Sequence, residues 1–234
     1  MILYIVRHGD PDYKTDSLTE RGKLQAEAVG KRILKSGIDR IFSSPMGRAK
    51  MTAEPASRLL GLDYEILEWT KEVEGYIMTE YPDGKLRSLD AVQNTAHREN
   101  GRIELSYKNA FDCPTIGQSK MDEAVKCIEE NGNSFLEGLG YREENGVFRI
   151  LYPNEERVAL FCHGGFMRTW LSVLLHIPLH MMLADFDINH TGVTVLQFKN
   201  NENGITAPRL LCYSDMSHLY AEGLDTRYNG GIEI

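Results

Sequence analysis

Two short apolar segments, each ending abruptly in a histidine, constrain this chain more than any other feature. Near its start Ile2-Leu3-Tyr4-Ile5-Val6 runs straight into Arg7-His8-Gly9, and much later Val158-Ala159-Leu160-Phe161-Cys162 runs into His163-Gly164-Gly165. A short, continuous, β-rich apolar run reads as a strand buried on both faces, as in a parallel sheet covered by helices. In open α/β sheets, ligands bind in the crevice beyond the carboxyl ends of the strands. Both histidines are therefore expected at one ligand-binding edge.

The intervening segments supply the helices. Thr19 is an N-cap candidate with Glu20 in the first turn, Ala26, Val29 and Ile33 form an apolar stripe, and Gly37 ends the run. Arg40 to Ser44 reads as a second strand. Pro45 then opens a helix with Ala49, Ala56 and Leu59 inward and Gly61 as its stop; Pro55 is expected to kink or split it. Tyr64 to about Leu67 reads as a third strand. Residues 75–118 carry little periodicity and read as an insertion over the core. Ser119 and Asp122 form a capping-box-like start to a helix bearing Met121, Val125, Ile128, Phe135 and Leu139. Asn145-Gly146 marks a hairpin turn, and Phe166, Trp170 and Leu174 lie at helical spacing. Val193 to Phe198 and Arg209 to Tyr213 read as two last strands joined by a polar turn. Alternating strands and helices imply an α/β fold, a mostly parallel central sheet between helical layers, in a single domain over 1–234 with an inserted lid at about 75–118.

The totals narrow the partners. A net charge of −8 over 234 residues argues against nucleic acid. The apolar runs are too short to span a bilayer, and Arg7-His8 interrupts any secretory signal, so a cytoplasmic location away from membranes is expected. The four cysteines show no metal-ligand spacing. If the ligand is an anion, local cations must overcome the acidic background. Arg7 stands beside His8, and Arg48 follows the second strand where a helix begins and amides favour anions. Two arginines, two histidines and helix starts describe a phosphate pocket for a small phosphorylated substrate. The guanidinium fork suits phosphate oxygens, each charged hydrogen bond contributing roughly 1.5–3 kcal/mol. No metal-binding pattern is present, and neither metal nor cofactor is expected.

"IVRHGD", "LTERGKLQA", "FSSPMGRAKMTA" and "LFCHGGFMR" resemble, in order and spacing, the landmarks of the histidine phosphatase superfamily, the phosphoglycerate-mutase-like fold. The resemblance implies that His8 is the nucleophile forming a phosphohistidine, that Arg7 and Arg48 hold the phosphate oxygens, and that His163 completes the clamp with the Gly164 amide as a further donor. It implies a three-layer α/β/α architecture of the phosphoglycerate-mutase-like kind. It also implies a carboxylic acid shortly after the third strand, for which Glu68, Glu72 and Glu74 compete and Glu72 fits best. Arg168 reads as a support for its helix, and His190 and His218 as structural histidines. His97, Arg98, Arg102 and Lys108 read either as a solvated surface or as a lid lining.

The chain departs from mutases proper. Only nine residues, Gly9 to Ser17, separate His8 from Leu18, without the asparagine and the Thr/Ser-Gly pair of the longer mutase loop. Asp10 and Asp12 place two carboxylates beside an anion site, which opposes a second negative group. A metal-independent phosphatase of phosphomonoesters is the expected activity. The alternatives are a phosphoglycerate-mutase-type phosphotransferase and a catalytically weak phospho-ligand-binding module.

Overall fold

The sheet order decides which strand tips become neighbours. The computed structural model describes residues 1–73, 78–80, 86–88 and 120–227. Glu74, Ser119, His97, Arg98, Arg102 and Lys108 lie outside the described residues, as does nearly all of the 75–118 insertion. The chain opens with β1 (Ile2–Arg7), a small hairpin of β2 (Pro11–Asp12) and β3 (Ser17–Leu18), and α1 (Glu20–Lys35). There follow β4 (Arg40–Ser43), α2 (Gly47–Leu60), β5 (Tyr64–Ile66), and the antiparallel pair β6 (Met78–Glu80) and β7 (Leu86–Ser88). After α3 (Met121–Gly138) come β8 (Tyr141–Glu144), β9 (Val147–Ile150), β10 (Arg157–Cys162), α4 (Gly164–Leu175) and α5 (Leu179–Asp185). The chain ends with β11 (Val193–Gln197), β12 (Ile205–Thr206), β13 (Arg209–Asp215) and α6 (Ser217–Ala221).

The fold is mixed α/β with a mostly parallel central sheet of order β13-β11-β1-β10-β4-β5. β1, β10, β4 and β5 run parallel, while β11 is antiparallel to both its neighbours, β1 and β13. The residues form two compact units: Met1–Lys71, Leu136–Gly164 and Ile188–Ile234 make the first, Glu72–Phe135 and Gly165–Asp187 the second.

In the first unit, Val29 and Ile33 of α1 and Ala53 and Ala56 of α2 bury against Tyr4, Val6, Ile41, Phe161 and Val195 of the sheet. Leu3, Ile5 and Leu160, alternating with them, are fully buried on the opposite face. Strands buried on both faces read as continuous apolar runs for this reason, and each full side-chain burial stabilises by about 1.5–3 kcal/mol. In the second unit, Trp170 of α4 packs against Phe166 and against Phe135 of α3.

Several local expectations hold. The Thr19 hydroxyl accepts from the Gly22 amide at 3.0 Å and caps α1, Gly61 ends α2 in the left-handed region, and Asn145-Gly146 turns β8 into β9 with both residues at positive φ. Others need correction. Pro55 lies inside α2 without splitting it. Leu59 faces solvent at 37% exposure, and the inward stripe of α2 continues through Ala53 and Leu60 instead, as a 100° step per residue requires. The connection read as a polar turn after β11 carries β12, which pairs with β9.

Candidate active site

β10 lies between β1 and β4, so the three segments flagged at strand ends are adjacent. Register levels their tips: Arg7 lies opposite Cys162, and Phe161 opposite Ser43. The ladder runs one residue further, with the His8 amide donating to the Cys162 carbonyl and the Ser44 amide to the Phe161 carbonyl, each at 2.9 Å. His8 and His163 thereby come together with ring centroids 5.2 Å apart. Both are buried.

The hydrogen bonds assign the His8 tautomer. Nδ1 of His8 lies 2.7 Å from the Gly9 carbonyl oxygen. A carbonyl only accepts, so Nδ1 carries the proton, and in the neutral ring Nε2 holds the lone pair. Burial first, then the charges of Arg7 and His163, hold the His8 pKa well below its ordinary value. His8 is therefore a neutral imidazole at pH 7. His163 is held low too, by burial and then by Arg48 and Arg7. Its Nε2 lies 2.8 Å from the Ser44 hydroxyl, which itself accepts from the Met46 amide at 3.4 Å. A hydroxyl accepts twice and donates once, so this contact is open to either His163 tautomer, with the proton on Nδ1 or on Nε2. The Nδ1 of His163 and the Nε of Arg7 are buried and make no hydrogen bond among the described residues, a state that costs roughly 1–3 kcal/mol per group.

The loop holding His8 is pinned on both sides. The Gly9 amide donates to Thr52 Oγ1 at 3.0 Å, and Thr52 donates to the Arg48 carbonyl at 2.7 Å, which ties the β1 tip to α2. A Cβ on Gly9 would come within 2.7 Å of the Gly22 carbonyl, so backbone meets backbone here and glycine is required. Arg7 donates from Nη1 to the Ile188 carbonyl, and Gly164 lies against its guanidinium. Arg48, with its side chain only 3% exposed, pairs with Asp16 at 2.6 Å.

The structure thus brings Arg7, His8, Arg48, His163 and Gly164 together within the first unit. Glu72 belongs to the second, where its Oε1 accepts from the Phe166 amide at 2.8 Å and its Oε2 from the Gly165 amide at 3.2 Å. Glu68 is exposed and pairs with Lys71. Arg168 donates to the Leu183 carbonyl at 3.0 Å, a structural role, as expected. His218 is buried with Nε2 3.0 Å from Thr191 Oγ1, also as expected.

Two residues stand closer to the site than their sequence context indicates. His190, read as structural, stands with its ring 5.7 Å from that of His8 and its Nδ1 3.5 Å from Asp10 Oδ1. Burial and Arg7 lower its pKa to about 3. The signal lies in strand direction: β11 is antiparallel to β1, with Val193 opposite Val6, so the residues preceding β11 fall at the β1 tip. The second is Asp16. Of the two carboxylates flagged after Arg7-His8-Gly9, Asp12 accepts instead from the Lys14 amide and the Thr15 hydroxyl of its own turn. Among the described residues, Asp16 places a carboxylate on Arg48. Among the described residues no group of three or more His, Cys, Asp or Glu side chains is placed to hold a metal ion.

The sequence model of the histidine phosphatase superfamily (branch 1) matches residues 3–103 and 121–209. The chain belongs to the histidine phosphatase superfamily. This histidine phosphatase is 33% identical over 232 residues to the "Probable phosphoglycerate mutase GpmB" of Salmonella paratyphi B, covering 95% of this chain and 97% of the relative. It is 26% identical over 221 residues to the "Putative phosphoserine phosphatase 2" of Hydrogenobacter thermophilus, with 91% and 97% covered. In fold it is similar to the phosphoserine phosphatase of Entamoeba histolytica solved with 3-phosphoglyceric acid, at a TM-score of 0.60 and 23% identity, covering 93% of this chain and 98% of that one. A mycobacterial glucosyl-3-phosphoglycerate phosphatase also gives 0.60, at 20% identity with 92% and 99% covered. No helix among the described residues is long and apolar enough to cross a membrane.

Proposed function

We propose that this histidine phosphatase hydrolyses phosphomonoesters without a metal ion, through a phosphohistidine on His8. The observation that carries the reading is the Nδ1–H of His8 committed to the Gly9 carbonyl, which leaves the Nε2 lone pair of a neutral ring in the company of two arginines. Nε2 attacks phosphorus, the ester P–O bond breaks, and Glu72 gives its proton to the leaving oxygen. Water then attacks the phosphohistidine, its proton goes to the Glu72 carboxylate, and the N–P bond breaks to release phosphate and neutral His8. Splitting the transfer this way replaces one hard step by two easier ones. Arg7, Arg48 and His163 supply donors to the phosphoryl oxygens, with Gly164 as a further donor. Among the three acids considered, Glu72 is favoured because its carboxylate rests on the amides immediately after His163-Gly164 in the chain. The phosphoserine phosphatase and glucosyl-3-phosphoglycerate phosphatase relatives support hydrolysis of small phosphorylated molecules.

The test is hydrolysis of an aryl phosphate, with EDTA present, by the wild type, His8→Ala and Glu72→Gln. Hydrolysis with an acid-labile phosphoenzyme burst that His8→Ala abolishes is the expected result. Full activity in His8→Ala removes the nucleophile, and loss of activity with the chelator removes the metal-independent route. The 33% likeness to a probable phosphoglycerate mutase favours a second reading, phosphotransfer. That reading requires isomerisation of a phosphoglycerate faster than its hydrolysis.

A further inference from the structure

We propose that Asp16 is a specificity-determining residue, a fixed counter-charge on Arg48 that biases the site toward phosphate esters carrying no second anionic group. The proposal rests on Arg48 being a phosphate ligand, as argued above.

Asp16 is held in place by four features. Its Oδ1 accepts from Arg48 Nη1 and its Oδ2 from the Gly47 amide at the start of α2, both at 2.6 Å. Its backbone sits at φ 48°, the left-handed region that non-glycine residues rarely adopt and that aspartate tolerates better than most. The Asp16 carbonyl lies so close to α2 that a Cβ on Gly47 would come within 2.2 Å of it. The β2–β3 pairing, Pro11 with Leu18 and Asp12 with Ser17, clamps both ends of the turn. On the other side the Arg48 guanidinium stands 5.4 Å from the centre of the Tyr13 ring. A freely solvated surface acid needs none of this scaffolding.

The charge balance gives the arrangement its consequence. Burial keeps His8, His163 and His190 uncharged at neutral pH, so among the described residues the cations acting on them are Arg7, Arg48 and, at His190, Arg21, which pairs with Asp225. Against these stand Asp16 on Arg48, and Asp10, whose Oδ2 accepts from the Thr19 hydroxyl at 2.6 Å. Among the described residues three positive groups thus face three negative ones, Asp225 standing on Arg21, where the same arginines without carboxylates would carry three net positive charges. The phosphoryl group therefore exhausts the attraction available, and a further carboxylate or phosphate on the ligand meets a repulsive field. At roughly 8 Å and intermediate dielectric, one such charge is worth about a tenfold change in affinity. If Asp16 only aligned Arg48, its removal would weaken every phosphate ligand by the same factor.

The two roles separate in binding, which needs no turnover. Calorimetry on the wild type and Asp16→Asn would compare benzylphosphonate with 4-carboxybenzylphosphonate, non-hydrolysable probes that differ by one carboxylate. The wild type is expected to prefer the uncharged-ring probe about tenfold, and Asp16→Asn to reduce that preference to about threefold or less. An unchanged ratio overturns the proposal while leaving the phosphatase reading intact. Failure of benzylphosphonate to bind the wild type, or benzylphosphonate affinity unaltered by Arg48→Ala, overturns both. Should Asp16→Asn not fold, the wild-type ratio measured from low to high ionic strength decides. Repulsion across several ångströms is screened by salt, so the ratio should shrink, and a ratio indifferent to salt overturns the proposal.

Discussion

Asp16 and Glu72 each rest a carboxylate on the first amides of a helix that follows a histidine-site strand, α2 after β4 and α4 after β10, yet different partners hold them. Asp16 bridges one amide and a buried guanidinium, whereas both Glu72 oxygens accept from amides, those of Gly165, Phe166 and Val73. A carboxylate bonded to an arginine has a fixed counter-charge, since the guanidinium never gives up its charge. It can shape a field but is poorly suited to shuttling a proton. The amides of Gly165 and Phe166 instead fix where the Glu72 carboxylate sits, the orientation that its proposed proton transfer requires. Two acids in similar local settings thus differ in the pairing of Asp16 with Arg48.

The sharpest way to break that contrast is to neutralise each acid in turn. Glu72→Gln should lower kcat for an aryl phosphate by roughly 10²- to 10⁴-fold, with KM little changed. Asp16→Asn should leave kcat within about tenfold while altering ligand preference. Equal losses of kcat in steady-state assays would erase the distinction.

The seat of Asp16 itself can be disturbed. Alanine at position 47 would ordinarily favour the helix by about 1 kcal/mol. Here its Cβ would meet the Asp16 carbonyl at 2.2 Å, so backbone must move. Gly47→Ala should destabilise the fold by about 2 kcal/mol in chemical denaturation, with the ligand preference drifting toward that of Asp16→Asn.

The histidines respond to a different variable. Burial depresses His8, His163, His190 (to about 3) and His218 (to about 4) below their unfolded values. Each is protonated in the unfolded chain before it is protonated in the fold. The stability they contribute is present above about pH 6.5 and is lost as pH falls toward the folded values, at about 1.4 kcal/mol per pH unit for each histidine. Denaturant midpoints measured at pH 7 and pH 5 should show this loss. Initial rates over the same interval should show no acid limb assignable to His8. A limb near pH 6.5 that disappears in His8→Ala would contradict the neutral-nucleophile assignment.

The smallest effect is at the Thr19 cap. Thr19→Ala removes the bond to Gly22 and the one to Asp10 and should cost about 1 kcal/mol by thermal denaturation, with both acid seats unaltered. A change in ligand preference there would mean that Asp10 contributes more to the field than Asp16 does.

Much of this molecule could be read directly. The buried strands were legible because an apolar run covered on both faces needs no tertiary information to recognise, and Arg7, His8 and His163 came with them. Thr19, Gly61 and Asn145-Gly146 were legible because caps and tight turns are local chemistry. Leu59 was misplaced because one or two residues of phase error on a helix rotate a side chain from core to solvent. Glu72 could be ranked above Glu68 by family spacing, but only the amides of Gly165 and Phe166, far off in sequence, distinguish it from the exposed Glu68–Lys71 pair.

The sequence by itself determined that histidines would end two buried strands and that an arginine would open the helix after a third, because burial pattern and chain order impose it. Only the tertiary structure decided that β10 inserts between β1 and β4, making the tips neighbours. Only it decided that β11 runs backwards and carries His190 to His8, and that a left-handed backbone at Asp16 turns an ordinary-looking loop acid onto Arg48. Pairing order, strand direction and a single dihedral are choices between conformations of similar local cost. Contacts between residues distant in sequence settle them, and no local pattern records those contacts.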